Sequence, residues 1–183
     1  GFGTDAVVPI DVDETGAMRA DALAAALGES EAPTIVCAQA GNVNTGAIDP
    51  LAEVCALGRE AGAWVHVDGA FGLWAAASER RRHLLRGGED ANSWATDGHK
   101  WLNVPYDCGL AFVRDRYAHR AAMTVAASYL QQGEPVREPV DWNPEFSRRA
   151  RAVPVYAALR ALGRSGVAEL VDRCCDHAQR MAA

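Results

Sequence analysis

The sequence predicts an α/β fold built on a mostly parallel sheet. Three observations predict it. Short apolar runs alternate with helical patterns over residues 1–122. Two of these runs, 34–40 and 64–67, are largely apolar and read as strands of the kind buried on both faces of a parallel sheet. Polar residues able to do chemistry (Asn42, Asp68 and Lys100) fall just past the ends of such runs. In open parallel sheets, ligands sit outside the carboxyl ends of the strands.

The elements follow in order. Residues 7–12 read as a short strand, and Asp13-Glu14-Thr15-Gly16 as a turn. Residues 18–27 form an alanine-rich helix closed by Gly28. The strand at 34–40 leads into a polar loop at 41–46. A helix over 51–61 carries Leu51, Val54, Cys55 and Leu57 near helical spacing. Strands at 64–67, ending at Asp68, at 93–96 and at 109–113 complete the sheet. Residues 131–144 are rich in Pro, Gly and Glu and read as a loop. Two amphipathic helices then follow, separated by 163–166. The first carries Val155, Leu159 and Leu162, the second Val167, Leu170, Val171, Cys174 and Cys175.

The chain has 183 residues, 49% hydrophobic and 23% charged, ordinary values for a soluble globular domain. A net charge of -6 argues against nucleic acid as a partner. No apolar run reaches the ~20 residues that cross a bilayer, which argues against a membrane. The arginines at 80–82 read as a solvated face. Five cysteines without metal-like spacing suggest free thiols in a reducing, cytoplasmic setting, with one of Cys174 and Cys175 packed in a core.

Asp68 and Lys100 carry the chemistry. Lys100 is the sole lysine; the other cationic chains are arginines, which cannot form an imine. An imine-forming lysine, paired with an acid that keeps a pyridine nitrogen protonated, is what a pyridoxal 5'-phosphate (PLP) enzyme needs. His99, beside the lysine, would contribute to the local field or reach the cofactor; otherwise it is a strand-end histidine bonded to backbone. Asp97 would either accept a hydrogen bond from the site or cap the turn. Ala70 is small enough for a ring to lie against it, and is equally an ordinary core alanine. Asn42 can donate and accept from its amide.

Several ordered blocks resemble the group II PLP-dependent amino-acid decarboxylases, the relatives of the aromatic-L-amino-acid, histidine and glutamate decarboxylases. They are His66-Val67-Asp68-Gly69-Ala70, Asp97-Gly98-His99-Lys100-Trp101 and Tyr106-Asp107-Cys108-Gly109. Upstream, the loop from Ala40 to Pro50 is similar. Downstream, Ser147-Arg148-Arg149-Ala150-Arg151 with Tyr156 and Leu159 is similar to the start of the family's C-terminal region.

The resemblance implies a three-layer α/β sandwich of fold type I. It places 1–122 in the PLP-binding large domain, 123–146 in a linker and 147–183 at the start of a small C-terminal domain. It implies decarboxylation of an L-amino acid through a Schiff base on Lys100, with Asp68, Ala70, His99 and Asn42 around the cofactor. Asn42-Val43 stands where many members have Thr-Thr, and Val43 cannot make that hydrogen bond. Tyr129 lies as far after the lysine as the family's catalytic-loop tyrosine, which donates a proton from across a homodimer interface; otherwise Tyr129 is a helix-end aromatic packed on the core. The arginines at 148, 149 and 151 would make structural ion pairs, or meet a substrate carboxylate or an interface. The family's phosphate-binding loop and stacking histidine precede the first blocks, so the chain is expected to be a fragment. Two other readings stay open: an aminotransferase or carbon–sulfur lyase of the same fold, and an inactive piece.

Overall fold

The computed structural model describes residues 3–124, 138–145 and 147–183. Its centre is a four-stranded sheet in the order β1 (Ile35–Gln39), β2 (Trp64–Asp68), β3 (Ser93–Asp97), β4 (Gly109–Val113). The first three strands are parallel, and β4 runs antiparallel to β3. This is the α/β, mostly parallel sheet the sequence predicts. In register, Gln39 lies opposite Asp68, and Asp68 opposite Ala95. The three parallel strands therefore end together, along one edge.

Two helices cover one face of the sheet. They are α1 (Ala20–Gly28) and α2 (Leu51–Glu60). Leu51, Val54, Cys55 and Gly58 are the buried residues of α2, one stripe at i, i+3, i+4, i+7. They pack with Leu23 of α1 on Val36, Ala38, Val65 and Val67. Gly58 must be glycine here, because a Cβ would come within 2.3 Å of Val65 Cγ2. Asp49, buried ahead of α2, accepts the backbone N–H groups of Met18 and Gln39, each at 2.7 Å. One carboxylate thereby ties the approach to α1, the end of β1 and the start of α2.

Several expectations are corrected. Residues 7–12 form no strand: Val7 and Val8 are exposed, and Val12 makes only an isolated bridge to Met18. Among the described residues no neighbouring strand offers them a ladder, so apolar β-formers stay extended and unpaired. The turn after them does form, with Asp13 Oδ1 accepting from Thr15 and Ala17 and Gly16 at φ 86°. β1 is not buried on both faces. Val36 and Ala38 point into the core, while Ile35 and Cys37 are exposed.

Helix α3 (Arg116–Met123) follows β4 and escaped the sequence reading; Asp115 caps it by accepting from Tyr117 and Ala118. The last helix, α4 (Ala152–Ala182), is broken at a single residue, Gly163, at φ 64° and ψ -177°. The expected two-helix pattern is thus realised as two arms around one glycine. Val155 and Val167, one on each arm, pack with Leu102, Val104 and Cys108 in a second apolar cluster.

The arginines at 80–82 are not simply a solvated face. Arg81 pairs with Asp172 and Asp176 on the second arm of α4, and Arg80 makes a bidentate pair with Asp176. Ser78, fully buried, donates its hydroxyl to Asp172 at 2.7 Å. All five cysteines are free; Cys55 and Cys108 are buried, whereas Cys174 is exposed and Cys175 half-buried, so neither of that pair is a core residue. Among the described residues, no helix is long and apolar enough to cross a membrane.

Candidate active site

Loops leaving the carboxyl ends of β1, β2 and β3 are knitted together by backbone hydrogen bonds. Ala40 N–H donates to Asp68 O, Gly72 N–H to Ala40 O and Gly69 N–H to Ala95 O, all at 2.8–2.9 Å. The contact between the first two loops is close. A Cβ on Gly72 would stand 2.4 Å from Ala40 O, and one on Gly41 (φ 94°) 2.9 Å from Gly72 N. Only glycine permits that approach.

Lys100 follows β3 by three residues. Its Nζ lies 2.9 Å from Asp97 Oδ2 and 4.0 Å from the centre of the Phe71 ring. The ammonium is thus held by a carboxylate and an aromatic face, in a site where its side chain is 27% exposed. Asp97 is itself fixed, since Trp74 Nε1 donates to its backbone oxygen at 3.1 Å. Asp68 is exposed at the end of β2, and its Oδ1 accepts the Ala70 N–H at 2.9 Å. Among the described residues no cation pairs with it, so its charge is available to a ligand. Ala70 is half-buried in the same turn.

His99 is largely buried beside Lys100. Its Nδ1 accepts the N–H of Cys108 at 3.0 Å. The Cys108 carbonyl already receives the Gly98 N–H at 2.9 Å. Stranding the buried Cys108 N–H would cost about 1–3 kcal/mol. The favoured neutral tautomer therefore carries its proton on Nε2, which faces Asp97 Oδ2 at 3.9 Å. The Tyr106 ring covers the imidazole, with centroids 4.1 Å apart.

Asn42 sits in the β1 loop at the same edge. Its side-chain oxygen accepts the N–H groups of Asn44 at 2.9 Å and Thr45 at 3.3 Å. The oxygen therefore shapes its own loop, and the amide nitrogen is the group left to meet a ligand. Val43 is exposed. Tyr129 lies outside the described residues. The structure thus brings Asn42, Asp68, Ala70, His99 and Lys100 to one edge of the sheet, with Asp97 on the lysine.

Phe71 escaped the sequence reading and was signalled only by its place in Gly69-Ala70-Phe71-Gly72. Arg149 and Arg151 make ion pairs, as expected of them, and both meet Asp107, the partner that sequence could not name. The hydrogen bond from Arg151 leads in holding the Asp107 carboxyl below the usual carboxylate range. Of the other histidines, His66 Nδ1 bonds Ser93 Oγ at 2.8 Å. His83 and His177 are exposed, but His119 is half-buried, edge-on to Trp142.

The model of the pyridoxal-dependent decarboxylase conserved domain matches residues 4–183. The chain belongs to the pyridoxal-dependent decarboxylase family. Over 93% of its length it is 38% identical to an L-2,4-diaminobutyrate decarboxylase of Rhizobium meliloti (strain 1021), covering 36% of that protein. The crystal structure of mouse CSAD in apo form superposes on the whole chain with a TM-score of 0.87 at 27% identity, over 39% of that chain. Oryza sativa TDC, solved with PLP and tryptamine, matches 88% of the chain at a TM-score of 0.81 and 27% identity, over 35% of its own length. This member of the pyridoxal-dependent decarboxylases thus spans little more than a third of the length of these relatives. Its architecture is that of fold type I.

Proposed function

We propose that the chain carries the cofactor-anchoring part of a PLP-dependent amino-acid decarboxylase, a carboxy-lyase that releases carbon dioxide and an amine. One observation carries the reading. Asp68 and Lys100, the sole lysine, leave the carboxyl ends of adjacent parallel strands. The donor set suits the cofactor: an amine for its aldehyde, and a carboxylate, without a cationic partner among the described residues, for its ring nitrogen.

Lys100 would hold the cofactor covalently and Asp68 its pyridine nitrogen. Ala70, His99 and the amide of Asn42 would flank it. Bound PLP supplies a conjugated ring that accepts the electron pair left on the α-carbon as carbon dioxide departs. The chain's own residues do the rest. Asp97 keeps Nζ in place. Phe71 shields one side of Nζ from water. His99 presents an N–H, not a lone pair, to Asp97. By its resemblance in position to the family's catalytic-loop tyrosine, Tyr129 would be the proton donor. The relatives' names support decarboxylation over transamination, and their substrates differ. A homodimer of the complete protein belongs to the same proposal, as does a cytoplasmic location; five free thiols accord with a reducing compartment.

Borohydride reduction after incubation with PLP, followed by peptide mapping, tests the assignment. A pyridoxyl adduct on Lys100, diminished in Asp68→Ala and absent in Lys100→Ala, is expected. In the complete protein, amino acids should then yield carbon dioxide and not keto acids. A folded complete protein without the adduct would overturn the reading.

A further inference from the structure

The segment from Tyr106 to Cys108 is held from two sides. On one side Arg149 Nη2 donates to Tyr106 O at 2.6 Å, Asp107 O at 3.0 Å and Asp107 Oδ1 at 3.1 Å. Arg151 grips the same carboxylate with Nε at 3.1 Å and Nη2 at 3.2 Å, and its Nη1 reaches Glu145 at 3.4 Å. On the other side, the Cys108 N–H meets His99 Nδ1. The chain between the two grips is short, so the arginines govern how the Cys108 amide is aimed.

That aim decides which imidazole nitrogen carries the proton. Cys108 O also lies 3.0 Å from His99 Nδ1. If the Cys108 amide turned, Nδ1 could take the proton and donate to that oxygen. Nε2 would then turn a lone pair toward the Asp97 carboxylate that holds Lys100, and attraction would become repulsion. We propose that Arg149, Arg151 and Asp107 are positioning residues, which fix His99 as its Nε2–H tautomer beside Asp97 and Lys100. The inference rests on the reading of Lys100 as the cofactor lysine. An arginine fork suits the task, since its rigid planar donors fix orientation as well as distance. Because α4 starts directly after Arg151, the clamp also couples the C-terminal helix to the lysine site.

The test is nitrogen-15 NMR of the histidine-labelled, cofactor-free chain, with the His99 signals assigned by their loss in His99→Gln. The wild type should show a protonated Nε2 and a bare Nδ1. Arg149→Ala should raise the Nδ1–H to Nε2–H ratio about tenfold, as loss of the part-buried hydrogen bond from Cys108 N–H to Nδ1 allows. Arg149→Lys, still able to donate to the carbonyls, should restore most of the wild-type pattern. If Arg149→Ala does not fold, Asp107→Asn, which weakens the Arg151 fork, is read in the same way. A folded Arg149→Ala or Asp107→Asn chain with the wild-type His99 spectrum would overturn the proposal. That outcome is independent of the Lys100 adduct, so failure here and failure of the cofactor reading are told apart.

Discussion

Lys100 Nζ and Asp97 Oδ2 stand 2.9 Å apart, with both side chains about a quarter exposed. The pair spans three residues, so it forms within the turn that ends β3. A double-mutant cycle with Asp97→Asn and Lys100→Met should give a coupling of about 0.5–1 kcal/mol in urea unfolding, the upper range for a partly exposed pair. A coupling near zero would show that the pair does not persist in solution.

Arg81 is the most enclosed of the arginines in the α4 ion pairs, with its side chain 13% exposed. Arg81→Ala leaves Asp172 and Asp176 short of a donor, with Ser78 still on Asp172 and Arg80 still on Asp176. A loss of about 1.5–3 kcal/mol is expected in thermal unfolding. Arg81→Lys should recover only part of it, because a single ammonium cannot fork. A loss within about 0.5 kcal/mol would reduce the contact to an ordinary surface pair.

Acid should weaken the fold through Asp107 and Asp176. The hydrogen bond from Arg80 leads in lowering the Asp176 pKa, and that from Arg151 in lowering the Asp107 pKa, both from 3.8. A depressed folded-state value means the stabilisation is complete above the unfolded value and is lost as pH falls through the folded one. Urea midpoints should stay level down to about pH 5 and drop below about pH 4. The drop should be shallower in the double variant Asp107→Asn, Asp176→Asn. Equal slopes for the two proteins would refute the assignment.

Gly72→Ala should force the β1 and β2 loops apart, because its Cβ would stand 2.4 Å from a backbone oxygen. A cost of about 1–3 kcal/mol is expected, with a lower yield of the Lys100 adduct. Gly28→Ala, with nothing within 4 Å, serves as the control and should be near neutral. If the two alanines behave alike, the close approach of the loops is not a feature of the protein in solution.

The sequence by itself determined the α/β class and the positions of β1 to β4 to within a residue or two. It also placed Asn42, Asp68 and Lys100 at strand ends. Periodicity, turn chemistry and strand length are local properties, so a short window reveals them. It erred at residues 7–12, where β-propensity found no partner, and on the outer side of β1, because the burial of a face depends on what lies across it. Only the tertiary structure set Phe71 under Lys100, joined Arg81 to Asp176 across 95 positions, and brought Arg149 to Asp107 across 42. Such contacts depend on how packed elements meet in space, and no local pattern encodes which distant arginine will reach which carboxylate.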